Sequence, residues 1–294
     1  MAFGVSILSI YYTPLRYPGG KGKFAPFVKD LMETNNLNGD YLEPYAGGAA
    51  VALDLLYSGY CKNIHINDLD LAIFNFWHSI TTRTDDFLKL IFDTDVNIEE
   101  WYKQKDILSK PEEYDQLDHG FAAFFLNRTN RSGILKGGVI GGKNQNGNYK
   151  LDVRFNKENL SKRIEKIGRH ANQINVYNLD ALDLLSQVDS FLPQDSLIYL
   201  DPPYYVKGQG LYRNFYKHED HERIRNTLDH VQTKWIVSYD NCPEIKDIYS
   251  GYHQEDYALN YSAYYKMKGS EVMIFCDSIK LVTIPNQQLE ITLA

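Results

Sequence analysis

Short runs of branched and aromatic residues alternate along the chain with longer stretches whose apolar positions recur every three to four residues. That alternation predicts strands interleaved with helices. Asp40-Tyr-Leu-Glu-Pro-Tyr-Ala-Gly-Gly followed by AAVALDLLYSG reads as strand, tight glycine turn and a helix that ends at Gly59. A second strand is predicted over 63–68, with a helix over Leu71–Ile80 after it. Further on come strand Ile174–Asn178, helix Ala181–Gln187, strand Leu197–Leu200, helix 219–231, strand Trp235–Tyr239, helix Glu244–Tyr249, and β-prone stretches at 252–262 and 271–277. The fold class is therefore α/β, a doubly wound and mostly parallel sheet.

The alternation breaks between 84 and 170. Residues 84–130 read as helical and aromatic-rich. The segment 134–155 is dense in Gly and Asn, with β-prone pieces at Gly138–Ile140 and Tyr149–Phe155 that suggest a hairpin. A basic helix over Asn156–His170 closes it. Residues 84–170 are thus expected to be a helical and β-hairpin lobe, inserted into a domain made of 1–83 and 171–294. The chain carries a net charge of −7, yet residues 128–170 hold eleven Lys and Arg against three acids. Positive charge spread over loop, hairpin and helix suits a polyanion-binding surface. No apolar run reaches the ~20 residues of a membrane helix. The opening MAFGVSILSIYYTP lacks a basic leader and a cleavage site, and Cys61, Cys242 and Cys276 show no metal-ligand spacing. A monomeric cytoplasmic protein without a metal is expected.

Chemistry gathers at the predicted strand ends. The apolar strand before Asp201 stops at Asp201-Pro202-Pro203-Tyr204, because proline cannot donate to a ladder. The carboxyl ends of strands are where open α/β sheets bind ligands. Glu43 with Gly47-Gly48 ends the first strand, Asp68 the second, and Asp180 follows the third. An acid at the place of Asp68 suits ribose hydroxyls. Arg16-Tyr-Pro-Gly-Gly-Lys-Gly-Lys-Phe24 is a glycine-rich turn that brings Lys21 to a helix start. Neither GxGxxG nor GxxxxGK[ST] is present, so a ribose-bearing cofactor that needs no phosphate cradle is implied. S-adenosylmethionine fits.

Together these motifs make the chain resemble the Dam-type (alpha-group) family of DNA adenine methyltransferases. The resemblance runs over about residues 12–277 and rests on Arg16-Tyr-Pro-Gly-Gly-Lys21, Glu43-Pro-Tyr-Ala-Gly-Gly48, Asn67-Asp68, Phe124-Phe-Leu-Asn-Arg128, Asp201-Pro-Pro-Tyr204 and Gly269-Ser-Glu-Val272, in that order. It implies a Rossmann-like methyltransferase sheet, S-adenosylmethionine as cofactor, and transfer to the 6-amino group of a flipped adenine in double-stranded DNA. It assigns Tyr17, Lys21, Asp68 and Asp201 to the cofactor, and Asp201, Pro202 and Tyr204 to the base. The basic lobe is expected to meet DNA through Asn127, Arg128, Asn130, Arg131, Ser132, Lys136 and Lys143, joined by Arg213. Where Dam carries Tyr-Asn-Gly, this chain carries Arg131-Ser132-Gly133, so the likeness implies no particular recognition site. A restriction endonuclease acting separately is a conceivable partner. Two other readings share the cofactor: an amino-methyltransferase acting on RNA, and a DNA-binding protein that senses the cofactor without turnover. The inserted lobe favours DNA, and the intact Asp201–Tyr204 motif favours turnover.

Overall fold

A computed structural model describes residues 12–17, 20–206, 216–262, 266–284 and 289–292. After a glycine-rich start come α1 (Ala25–Thr34), β1 (Tyr41–Glu43), α2 (Ala50–Tyr57), β2 (Ile64–Asn67) and α3 (Leu71–Thr82). Residues 84–170 supply α4 (Thr84–Asp93), α5 (Ile98–Ser109), α6 (Gln116–Thr129) and α7 (Lys157–Arg169). Then follow β3 (Ile174–Tyr177), α8 (Ala181–Leu185), β4 (Leu197–Leu200), α9 (His218–Leu228), β5 (Lys234–Asp240), α10 (Pro243–Ile248), β6 (His253–Ser262), β7 (Lys266–Phe275) and β8 (Leu289–Thr292).

The strands form one sheet in the order β3-β2-β1-β4-β5-β7-β6-β8. The first five are mutually parallel, β7 runs antiparallel to β5 and to β6, and β8 lies parallel to β6. Every residue of β1, β2 and β4 is buried, as expected where helices cover both faces. From β1 the chain winds outward through β2 to β3, then returns to the other side of β1 as β4. The switch point therefore opens between the carboxyl ends of β1 and β4, where Glu43 and Asp201 stand.

Local chemistry sets the element ends. Helix α2 stops where Gly59 takes φ +74°, and Tyr60 N–H returns to Leu55 O at 3.0 Å. Asp70, Asn97, Asp115 and Asn156 each cap a helix through a side-chain oxygen. Phe76 of α3 packs on the rings of Phe87 and Phe124, which pack on Phe121 or one another, and so joins α6 to α3. Gly120 makes that contact close, since a Cβ there would lie 2.5 Å from Asn75 O.

One expectation is corrected. Residues 134–155 form turns, a single bridge between Asn130 and Val139, and a 3₁₀ turn at Leu151–Arg154, rather than a hairpin. Gln145 explains this. Its amide donates to Ile140 O and Gly142 O, and its oxygen accepts Leu151 N–H, so a side chain takes the groups a ladder would have paired.

Candidate active site

β4 ends at Asp201, and the two prolines turn the chain away from the sheet. The turn is fixed from β5, where the buried Asp240 accepts Tyr205 N–H and Val206 N–H, both at 2.8 Å. Ser238, also on β5, donates to Asp201 Oδ1 at 2.8 Å and accepts from Tyr199 OH at 3.1 Å. Lys21 Nζ lies 3.2 Å from the same Oδ1. Asp201 Oδ2 and the carbonyl of Pro202 accept no hydrogen bond from the described residues. One oxygen of the acid is thus anchored while two acceptors stay open at the switch point. Burial raises the Asp201 carboxyl above the usual range, Lys21 opposes the rise, and Glu271 adds to it.

Lys21 is 6% exposed and reaches Glu271 Oε2 at 3.1 Å as well as the Tyr204 hydroxyl, with its ammonium 4.9 Å from the Tyr204 ring centroid. Glu271, on β7, is wholly buried and accepts from Tyr204 OH at 2.5 Å and from Tyr257 OH at 2.6 Å. Lys21, Asp201, Tyr204, Glu271 and Tyr257 therefore form one charged and phenolic cluster, assembled from an N-terminal loop, the end of β4 and the two antiparallel strands.

A second group lies across β1. Gly47 has φ +46°, and a Cβ on it would meet the Tyr17 ring at 2.7 Å, so Tyr17 lies directly on the Gly47-Gly48 turn. Trp77 Nε1 donates to Gly47 O at 2.9 Å, and Asp68 Oδ2 accepts Gly47 N–H at 3.0 Å. Ala49 takes φ +46° without being glycine, a strained turn that starts α2. Burial lifts Asp68 to about 7, against the pull of its bonds to Asp70 N–H and Gly47 N–H. Glu43 lies beneath this turn, where its Oε1 accepts Ala52 N–H at 3.0 Å and Tyr41 OH at 3.1 Å, and burial pushes it to about 8. Asn67 ties the neighbouring loops together by donating to Pro44 O and Leu179 O and accepting Leu179 N–H. Asp180 caps α8 through Leu182 N–H. The residues expected to meet a cofactor thus separate into a turn lined by Tyr17, Gly47, Gly48 and Asp68, the pair Lys21 and Asp201 in the charged cluster, and two acids, Glu43 and Asp180, whose bonded oxygens brace the backbone.

The residues expected to meet DNA sort in the same way. Asn127 is 1% exposed: its oxygen accepts Arg16 N–H at 2.7 Å, and its amide donates to Arg16 O and Gly133 O. Asn130 is fully buried, accepts Trp101 Nε1 at 2.7 Å, and donates to Ile134 O and Leu135 O. Both amides are engaged inside the protein and clamp the turn that follows α6. Arg128 is half-buried, and its Nε donates to Arg154 O. Burial and the charges of Arg16, Arg163 and Arg154 lower it to about 9, and burial with Arg154 lowers Arg16 to about 10. Three other guanidinium groups, those of Arg16, Arg163 and Arg154, thus bear on Arg128, which marks a positive spot. Arg131, Ser132, Lys136 and Lys143 are exposed, and Arg213 lies outside the described residues. Ser132 and Gly133 take φ +55° and +72°, and a Cβ on Gly133 would meet Arg16 O at 2.3 Å. Residues 127–133 are thus seated on the segment that leads directly to Tyr17.

Sequence reasoning assigned no role to Ser238, Asp240, Tyr257 or Glu271. A weak signal existed for two of them. Ser238 and Glu271 interrupt or begin apolar strand runs, where a polar side chain needs a buried partner.

A doubly wound sheet whose switch point holds Asp201 beside a glycine turn suits the class of α/β group-transfer enzymes. A family model described as D12 class N6 adenine-specific DNA methyltransferase matches residues 17–265. The chain belongs to that family. Its members' activity entails S-adenosylmethionine as methyl donor and DNA as substrate. Among curated relatives, the type II methyltransferase M.MjaIII of Methanocaldococcus jannaschii is 25% identical over 206 residues, which cover 65% of this chain and 68% of that protein. The DNA N-6-adenine-methyltransferase of Escherichia phage P1 is 24% identical over 254 residues, 82% of this chain but 31% of the phage protein. Among solved structures, the rRNA methyltransferase aviRa from Streptomyces viridochromogenes aligns over 88% of this chain and 86% of its own, with TM-score 0.39 and 13% identity. The fold assignment stands on the strand order itself.

Proposed function

We propose that the enzyme methylates the 6-amino group of an adenine swung out of duplex DNA, with Asp201, Pro202 and Tyr204 forming the base pocket. The observation that carries this reading is the pair of acceptors, Asp201 Oδ2 and Pro202 O, that take no hydrogen bond from the described residues, beside a Tyr204 ring held by its hydroxyl. The adenine amine is a poor nucleophile because its lone pair is delocalised into the ring. Two acceptors that take its two hydrogens let the nitrogen pyramidalise and expose that lone pair. They also stabilise the positive charge that builds on nitrogen as the new bond forms. The Tyr204 ring offers a stacking face for the base. Extruding the base costs a few kcal/mol of unstacking. Holding the amine in line for attack then supplies a large part of the rate.

When bound, S-adenosylmethionine supplies an electrophilic sulfonium methyl. The turn at Gly47-Gly48, on which the Tyr17 ring packs, would seat it. Asp68 would hold ribose hydroxyls, and Lys21 would meet anionic character near the transfer site. Arg128 with Arg16, Arg154 and Arg163, and the exposed Arg131, Ser132, Lys136 and Lys143, would meet DNA, mostly through phosphates. The lobe 84–170 is then the recognition lobe, and the clamp of Asn127 on Arg16 would link it to the cofactor turn.

The test is transfer of labelled methyl to duplex DNA and to structured RNA, followed by nucleoside analysis. Label is expected in N6-methyladenine of the duplex. Label confined to RNA, or to cytosine, would overturn the reading.

A further inference from the structure

Glu271 reaches the transfer site from β7, the antiparallel strand beside β5, and no expectation for this chain gave it a task. In register it stands opposite Asp240 on one side and Tyr257 on the other. Its carboxylate is fully buried, yet it faces a lysine and two phenols: Lys21 Nζ at 3.1 Å, Tyr204 OH at 2.5 Å and Tyr257 OH at 2.6 Å. A buried carboxylate is costly unless it is paired and hydrogen-bonded, and here it is both. One of its partners, Lys21, also pairs with Asp201, and Tyr204 in turn accepts from Lys21. A residue meant only to fill the sheet would need none of this.

We propose that Glu271 is a positioning residue of the transfer site: its carboxylate fixes the Tyr204 phenol and the Lys21 ammonium, and so sets the stacking ring and shares out the lysine's charge between itself and Asp201. The inference rests on the reading of Asp201–Tyr204 as the base pocket. The lysine lies between two carboxylates, 3.1 Å from Glu271 and 3.2 Å from Asp201. Remove the charge of Glu271 and Lys21 is left to Asp201 alone, which makes Asp201 a weaker acceptor. The Tyr204 hydroxyl also loses its strong anionic partner, so the ring is held less firmly. Asp201 is faced by Lys21 from the N-terminal loop, Glu271 from β7, Glu43 from β1 and Tyr199 from its own strand. Of these, Lys21 favours its ionised form, while Glu271 opposes it.

The experiment compares Glu271→Gln, Tyr204→Phe, their combination and Asp201→Asn. Single-turnover transfer to duplex DNA is measured across pH, with equilibrium binding of S-adenosylhomocysteine alongside. Glu271→Gln keeps the shape of the side chain and removes its charge. It is expected to slow transfer at least tenfold while cofactor binding stays within about threefold. The double variant should be no slower than the slower single one, because both act on the same ring. The acid limb of the rate should move to lower pH by about one unit, since the repulsion on Asp201 is gone. In free enzyme labelled at aspartate carboxyl carbons, the resonance missing from Asp201→Asn should titrate at correspondingly lower pH in Glu271→Gln. A Glu271→Gln rate within twofold of wild type, an unmoved acid limb, or multiplying single effects would overturn the proposal, provided Asp201→Asn is inactive. An active Asp201→Asn would instead overturn the base-pocket reading. Should Glu271→Gln fail to fold, Tyr257→Phe removes a donor to the same carboxylate. It is then expected to slow transfer severalfold, and a rate within twofold overturns the proposal.

Discussion

Lys21 and Asp201 meet at 3.2 Å through the same carboxylate oxygen that Ser238 holds, while the second oxygen of Asp201 accepts no hydrogen bond from the described residues. Lys21 and Ser238 thus together anchor one oxygen of the strand-end acid. The following consequences can each be measured.

Asp68 is expected to make cofactor binding depend on pH near neutrality. Burial lifts it to about 7, so at lower pH an increasing share of it is protonated and a poorer acceptor for ribose hydroxyls. Affinity for S-adenosylhomocysteine should weaken by up to about tenfold per pH unit below 7. Asp68→Asn should bind at least tenfold more weakly and lose that dependence. Calorimetric titrations from pH 5.5 to 8.5 would show it, and a flat wild-type profile would count against Asp68 as the ribose acid.

Glu43 should instead govern stability. Its folded-state value is about 8 and its ordinary value is 4.5, so the folded protein holds a proton that the unfolded chain releases. This contribution is complete below 4.5 and is lost as pH rises through about 8. The loss amounts to a few kcal/mol, on the order of 1.4 kcal/mol per unit displaced. Glu43→Gln keeps an acceptor for Ala52 N–H and Tyr41 OH. Denaturant unfolding at pH 5.5 and 8.5 should therefore show a smaller fall for the variant than for wild type. An equal fall would place the proton elsewhere.

The lobe should separate clamps from contacts. Arg131→Ala and Lys136→Ala are expected to weaken DNA binding on every sequence, with the salt slope falling by about one, and to leave cofactor affinity unchanged. Asn127→Ala should act through the fold, because it orphans Arg16 N–H, Arg16 O and Gly133 O, at a cost of about 2–3 kcal/mol. Filter binding against salt together with denaturant melts distinguishes the two. Loss of sequence preference in Asn127→Ala without loss of stability would restore it as a base reader.

Much of this was legible in the sequence because it is local. The apolar run before Asp201, the stop at two prolines and the glycines before α2 each announce an element end within a few residues. The parallel half of the sheet follows from alternation. What escaped was non-local or conformational. Glu271 gains its meaning only when β7 inserts beside β5 and carries it to Lys21. Asn127 and Asn130 look like DNA contacts in a basic stretch, and only the folded turn shows their amides already spent on backbone groups. The expected hairpin at 134–155 failed because one side chain, Gln145, outcompeted the ladder for Ile140 O, Gly142 O and Leu151 N–H.

The central claim is that Asp201 acts as an acceptor that shapes the amine. The most direct measurement is single-turnover methyl transfer to adenine in duplex DNA by Asp201→Ala, with DNA and cofactor binding measured on the same protein. The expected result is a rate lowered by about a thousandfold or more, as for loss of a transition-state acceptor, with both affinities within a fewfold of wild type. Transfer to adenine at a rate near that of wild type would contradict it.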